Sequence, residues 1–246
     1  MSNDKNAAVI SELKLNYSSH YSAINPQMMS EHFYHDSCYY FRGEVLPALP
    51  EDKAAHILEI GCAAGHLIRF LASIGYSNVG AIELDAQLCD VARRYVGESA
   101  RFIECGDAMQ FLSRCQGRFD MIIATDVIEH FTLEDGAALC RQALDALAPG
   151  GRLLLRTQNM ANILGTYIRH SDLTHQMGYT EETLKRLALS SGFARAEIVI
   201  PKFGLLHLQT VRLAVTNLFH RLLFAMQGQP PCQRFDPSIV MCAYKK

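Results

Sequence analysis

Three acidic residues and two glycines in the first half of the chain have the types and spacing of a ligand site. In HILEIGCAAGHLIRFL, His56 to Leu71, a short apolar run carries Glu59, meets Gly61 and Gly65, and resumes at helical spacing. A chain that leaves a strand, turns tightly and starts a helix places glycines where backbone N–H groups must come close to a ligand. The helix expected from His66 turns its positive end to the same place, so an anionic group or a carboxylate fits there. Glu83 ends the next apolar run, NVGAIELD, where a carboxylate can take both hydroxyls of a ribose. Gly106-Asp107-Ala108 follows the third run, where an Asp side chain and neighbouring backbone can pair with an adenine edge. Taken in strand order, the three sites describe a nucleoside with a charged tail.

The elements that must hold these residues alternate. From residue 54 onward, β-rich runs such as AAHILEI, NVGAIEL, ARFIEC, FDMIIATD and GRLLLRTQ are each followed by a helical pattern. Such alternation predicts βαβ units and a parallel sheet covered on both faces. ILEI, MIIA and RLLLR are nearly unbroken apolar runs, as strands buried on both faces should be. Gly75, Gly117, Pro149-Gly150-Gly151 and Gly192 stand where helices should stop before the next strand. ARAEIVI and SIVMCAYKK read as two further strands, and residues 205 to 226 as a long apolar helix between them. Residues 1 to 53 read as a helical or irregular segment rich in Tyr and His, ahead of a single domain over 54–246 with an insertion at about 203–228.

Composition narrows the class. With 246 residues, 49% of them hydrophobic and 20% charged, the chain can bury a full core. A formal net charge of −2 gives no global reason to expect nucleic acid. Eight scattered cysteines, without a CxxC pair or a Cys/His comb, predict a reducing compartment and no structural zinc. The N-terminal stretch has acidic residues and no long apolar core, so a secretory leader is not expected, nor is a membrane span, and the expected location is cytoplasmic.

The ordered set LEIGCAAG, GAIELD, CGDAMQF, FDMIIATDVIEHF and LAPGGRLLL resembles the class I S-adenosylmethionine-dependent methyltransferases, over roughly residues 54 to 160. The resemblance implies an α/β fold that is Rossmann-like and doubly wound, its mainly parallel seven-stranded sheet ending in an antiparallel last strand. It implies S-adenosylmethionine as cofactor. Glu59 with Gly61, Cys62, Ala63 and Gly65 would surround the methionine part, Glu83 and Leu84 the ribose, and Asp107 with Ala108 the adenine. Asp126-Val127 would form the floor beneath the sulfonium. Ala63 replaces the usual middle glycine, and Glu83 stands where Asp is common.

Neighbouring classes fit less well. The three-glycine dinucleotide fingerprint is missing from the first turn, and the position after the fourth strand reads T-D-V-I-E-H instead of the [DN]-P-P-[YF] that grips a flipped base. Asp126, Asn159 and Asp172 do not have the spacing of a catechol-type ligand set, so no metal is expected. A closer resemblance is to ubiquinone-pathway O-methyltransferases and the methyltransferases of surface-polysaccharide clusters, carried by DVIEHF, RTQNMANILG and SDLTHQMGYTEETLKRLALSSGF. It also includes Tyr39-Tyr40-Phe41-Arg42, which makes Arg42 a candidate for the cofactor carboxylate, set against a surface salt bridge.

Methyl transfer to a hydroxyl needs a base near the ends of strands four and five. His130 and His175 are the candidates, each weighed against a structural role as a turn or loop histidine. The acceptor expected is a small molecule or a saccharide, most simply at oxygen. N-methylation of a small amine or protein side chain, and an inactive cofactor-binding partner subunit, stay open. His20, Tyr21, His32, Tyr34, His35, Tyr39 and Tyr40 predict either a lid over the acceptor or an amphipathic helix packed on the sheet. The 205–226 helix shows a polar stripe of Gln209, Arg212, Thr216 and His220 on a broadly apolar surface. Burial against the sheet, a second copy, or peripheral contact with an anionic membrane would each suit it.

Overall fold

The computed structural model describes residues 13, 27–202, 208–230 and 232–246. Its centre is a seven-stranded sheet in the order β3-β2-β1-β4-β5-β7-β6. The strands are β1 (Ile57–Ile60), β2 (Val79–Glu83), β3 (Phe102–Cys105), β4 (Phe119–Thr125), β5 (Leu147–Gln158), β6 (Arg195–Ile198) and β7 (Ser238–Tyr244). β1 to β5 pair in parallel. β7 runs antiparallel between β5 and β6, as the resemblance implies.

Alternation along the strands splits the core between two faces. Leu58, Ile60, Ile122 and Ala124 join one cluster, while Ile57, Met121 and Ile123 join the other. Because Cβ directions alternate with period two, every residue of ILEI is buried although its neighbours face opposite sides. The helices are α1 (Glu31–Tyr40), α2 (His66–Ser73), α3 (Ala86–Val96), α4 (Ala108–Leu112), α5 (Leu133–Ala146), α6 (Gly165–Arg169), α7 (Glu181–Ser190) and α8 (Leu208–Met226). Several start where the sequence supplies a cap. Asp85, Asp107 and Thr132 accept backbone N–H bonds at α3, α4 and α5, and Thr180 with Thr183 forms a capping box at α7.

Residues ahead of the sheet contribute to its core: Tyr34, Val45, Ala48 and Leu49 pack in the same cluster as β1 and α2. After α1 the chain widens into a π turn, Phe41–Val45, and then a short 3-10 turn, Leu46–Ala48. His20 and Tyr21 lie outside the described residues, as do residues 203–207 of the expected insertion.

One boundary differs from the sequence reading. β5 begins pairing at Leu147, before Pro149-Gly150-Gly151, and the register then jumps from Leu147 to Arg152. The glycines are therefore a bulge inside the strand entry. A Cβ on Gly151 would lie 2.8 Å from Ala148 O, so only glycine fits that close approach.

Candidate active site

The strand order reverses at β1, with β2 on one side and β4 on the other, and a crevice opens beyond the carboxyl ends of these strands. It is a cavity of about 580 Å³. Of the residues nominated for the cofactor, Glu59, Gly61, Cys62, Ala63, Glu83, Leu84, Asp107, Ala108, Asp126 and Val127 line it. Gly65 and Arg42 do not.

Each turn at the strand ends has a mechanical reason. Gly61 adopts φ +72°, and a Cβ there would meet Val127 Cγ2 at 2.6 Å, so this glycine lets the first turn close on the fourth. Gly65, at φ +86°, faces the other way: a Cβ would meet Val96 Cγ1 at 2.5 Å, which ties its role to the approach of α2 and α3. Ala63 holds φ 45°, a left-handed conformation that costs an L residue about 1–2 kcal/mol. Its N–H donates to Glu83 Oε2 at 2.8 Å, which offsets part of that cost.

The two glutamates are held differently. Glu83 accepts from Ala63 N and, through Oε1, from Asp85 N at 3.0 Å. Burial raises its pKa and these backbone donors oppose the rise. Each oxygen keeps a second lone pair able to accept from a ligand hydroxyl. Glu59 has no such support. It is 2% exposed, its Oε2 has no hydrogen-bond partner, and burial followed by the charge of Glu83 pushes its pKa to about 8. A buried carboxylate oxygen without a donor fits a cationic ligand group, such as the ammonium of a methionine tail. Asp107 spends one oxygen on Gln110 N at 2.9 Å as the cap of α4 and still borders the cavity.

Arg156 and Glu44 are charged lining residues that the sequence reading did not nominate. Arg156, at the end of β5, donates from Nε to Glu44 Oε2 at 2.7 Å and from Nη1 to Asp126 Oδ2. Burial works against its charge, but Asp126 and then Glu44 outweigh it and leave the guanidinium firmly protonated. The trio joins the N-terminal segment to the floor of the cavity, beside Asp126, whose φ of 55° is also left-handed. A charged residue inside an otherwise apolar strand was the available signal. Arg42 is exposed and stands over the Phe70 ring at 5.6 Å, while its neighbours Phe41 and Glu44 face the cavity.

The two histidines are brought together, with ring centroids 4.8 Å apart, but only His130 lines the cavity. His130 Nδ1 lies 2.7 Å from Thr174 Oγ1, and that hydroxyl donates to Asp172 Oδ1 at 2.7 Å. A hydroxyl has one proton, so Nδ1–H of His130 is the donor and Nε2 is its basic nitrogen. Desolvation raises the Asp172 pKa, yet the two Thr174 hydrogen bonds and the nearby histidines outweigh it and hold the group below its usual value.

His175 sits behind, accepting at Nε2 from Gln158 Nε2 at 3.2 Å, and burial lowers its pKa. Gln158 and Thr157 also donate to Glu129, whose carboxyl is fully buried and pushed to about 8 by burial and then by Asp126. Glu129 was not nominated from sequence. Its backbone carbonyl accepts from Gln176 N and Met177 N, so it fixes the loop that carries Thr174 and His175. Glu129, His130 and His175 bring ligand-type atoms within 4.8 Å of one another.

In the preceding segment, Phe33, Asp36, Ser37 and Tyr40 line the cavity while Tyr34 is buried beneath them. The same helix thus covers the site and packs on the sheet. His32 is exposed and pairs with Asp36 at 3.6 Å.

Known proteins share part of this sequence and its fold. A ubiquinone biosynthesis O-methyltransferase of Xanthomonas axonopodis pv. citri (strain 306) is 33% identical over 120 residues, covering 48% of this chain and 49% of that protein. One from Coxiella burnetii (strain RSA 493 / Nine Mile phase I) is 29% identical over 109 residues, 44% of this chain and 45% of its own. The match thus spans about half the length of these curated relatives. The fold is similar to that of a SAM-dependent methyltransferase from Archaeoglobus fulgidus, at TM-score 0.61 and 16% identity, over 82% of this chain and 90% of that one. The sequence pattern of the methyltransferase-domain family matches residues 31–197. With the seven-stranded order and the strand-end cavity, that match places the chain in the class I S-adenosylmethionine-dependent methyltransferase family.

Proposed function

We propose that the chain moves a methyl group from S-adenosylmethionine to a hydroxyl of a small-molecule or saccharide acceptor, with His130 as the base. When bound, the cofactor supplies a methyl group already activated by its own sulfonium charge. Glu59 would hold the ammonium of the methionine part, Glu83 with Leu84 the ribose, and Asp107 with Ala108 the adenine. Phe33, Tyr40 and Phe41 exclude water from above, and Asp126 with Val127 closes the floor.

The observation that carries the oxygen reading is the His130–Thr174–Asp172 chain at the cavity wall. A hydroxyl must lose its proton as the new C–O bond forms. His130 Nε2 takes it, and the ionised Asp172 stabilises the imidazolium through Thr174. His175 and Glu129 position the loop and do not touch the acceptor.

One observation favours a second reading. Asp36, Glu44 and Asp126 line the cavity with Arg156 as their neighbouring cation, a balance that attracts an amine. Release of S-adenosylhomocysteine against a panel of phenols, saccharides and amines separates the two. In the oxygen reading, His130→Ala lowers kcat about a hundredfold with phenols or saccharides, and leaves S-adenosylhomocysteine affinity within a factor of two. Turnover confined to amines and indifferent to His130 would replace it with the nitrogen reading.

A further inference from the structure

The most buried residues of helix α8 are polar, Asn217 at 8% exposed and His220 at 1%, and the half-buried Leu213, Leu223 and Phe224 turn inward with them, Phe224 against the Phe235 ring at 4.7 Å. Asn217 Nδ2 donates to Asp236 Oδ1 and its Oδ1 accepts from Phe235 N, both at 2.6 Å. His220 Nε2 accepts from Ile163 N at 2.8 Å. These bonds fix the roll of the helix. The stripe expected from sequence is therefore turned toward the protein at Thr216 and His220, with Arg212 at its exposed margin; the side chain of Gln209 lies outside the described residues. Burial of the apolar surface against the sheet is not what the structure shows.

The outward face carries Val211, Val215, Leu218, Phe219, Leu222 and Met226, which are 53% to 84% exposed. Their spacing of three, four and seven draws one continuous stripe, widened by the exposed Ala214 and Ala225. Single apolar residues on a surface are ordinary, but a contiguous stripe of this length marks an interaction face.

Charge selects what covers it. At about 100° per residue, Arg212 falls on one margin of the stripe and Arg221 on the other, half a turn apart, and both are exposed. Between Glu197 and Asp236 there is no acidic residue. Asp236 is buried and paired with Arg234 at 2.9 Å. A second copy laid on this face about a twofold axis would set arginine margins against arginine margins with no carboxylate on the helix to answer them. A layer of anionic lipid headgroups answers both margins, while the apolar stripe enters the acyl boundary.

The position of α8 agrees with such a contact. No helix among the described residues is long and apolar enough to cross a membrane, so the contact is peripheral. β6 runs in the same direction as β5, so the chain leaves it at the sheet edge that carries the cavity. Just beyond β6, Lys202 N donates to Gly43 O at 3.0 Å, between the cavity residues Phe41 and Glu44.

We propose that α8 docks the protein on an anionic membrane surface, its outward apolar stripe inserted and Arg212 and Arg221 against the headgroup phosphates. The test is co-sedimentation of the full chain with vesicles of phosphatidylcholine alone or mixed with phosphatidylglycerol. The wild type is expected to sediment with the mixed vesicles, more weakly as salt rises, and to remain largely in solution with phosphatidylcholine alone. Leu218→Glu combined with Leu222→Glu abolishes sedimentation. Arg212→Gln and Arg221→Gln each weaken it about fivefold on the mixed vesicles.

Both positions of the double glutamate variant are exposed, and unchanged S-adenosylhomocysteine binding by calorimetry shows that the variant folds. Wild-type protein left in solution with the mixed vesicles would overturn the proposal. So would a dimer in sedimentation velocity, split by the two glutamates, in a protein indifferent to lipid. Vesicle binding is read without turnover, so its failure is distinct from failure of the proposed reaction.

Discussion

Glu59 and the outward face of α8 break the same rule from opposite sides. One is a carboxylate oxygen where water is excluded, the other an apolar stripe where water is present. What differs is how each misfit is held in place. Glu59 is fixed by the backbone of β1 in the middle of a parallel sheet, which cannot shift without unpairing β2 and β4. The stripe on α8 is held outward by side chains, chiefly Asn217, His220 and Phe224. The first misfit suits a small ligand that must be placed to a fraction of an ångström. The second suits a broad, laterally fluid partner.

The largest effect should come from removing the first misfit. Glu59→Gln keeps the shape and discards the charge, so S-adenosylmethionine affinity should fall about a hundredfold, measured by calorimetry. The free protein should gain stability at the same time. Its folded-state pKa, about 8, lies above the ordinary value of 4.5, so the cost of burying the group is absent below about pH 4.5 and grows as pH rises toward 8. The variant should therefore unfold at higher denaturant than wild type at pH 8, by on the order of 2 kcal/mol, and at the same denaturant near pH 4. Wild-type cofactor affinity should rise with pH up to about 8, because binding the ammonium expels the Glu59 proton. Equal affinity in the two proteins would remove Glu59 from the site.

Glu83→Ala should act less strongly. Its carboxylate already has two backbone donors, so its loss costs the ribose contact and loosens the Ala63 turn, and S-adenosylhomocysteine affinity should fall about tenfold. Unchanged affinity would sink the ribose assignment.

The strand-end residues were legible in the sequence for the reason that makes them rigid. Short apolar runs, glycines and capping residues fix where strands stop, and the parallel fold brings their ends together. Arg42 was not legible in that way. Its candidacy rested on the resemblance of Tyr39-Tyr40-Phe41-Arg42 alone, which carries no information on the π turn at Phe41–Val45, where Phe41 and Glu44 face the cavity and Arg42 does not. His130 and His175 could not be ranked from sequence, because the ranking depends on Thr174 and Asp172, which reach His130 across more than 40 positions. For α8 the periodicity put Thr216 and His220 on one face, but it left out Asn217 and did not tell which face turns inward. That choice is made by Phe235 N–H and Asp236, contributed by the segment before β7.

The α8 side of the comparison sharpens with Asn217→Ala. This variant leaves Phe235 N–H and Asp236 without their buried partner, and stability should fall by about 1–2 kcal/mol in denaturant titration. Cofactor affinity should stay within a factor of two, since no cavity residue is touched. A cofactor defect of tenfold or more would mean that α8 is coupled to the strand-end turns, and the contrast between the two regions would fail.

The smallest expected effect lies on the boundary between them, at Asp172. Its carboxylate acts on His130 only through Thr174, and a negative charge there favours the imidazolium. Asp172→Asn should therefore make His130 a weaker base, and the acid limb of the kcat profile should move to lower pH. Turnover at the plateau should drop only a few-fold, because His130 remains in the cavity as a weaker base. The test is the pH dependence of S-adenosylhomocysteine release in the two proteins. A merely structural Asp172 would change the amplitude and leave the limb where it is; a limb displaced toward lower pH identifies the Thr174 hydroxyl as the link through which the loop tunes the base.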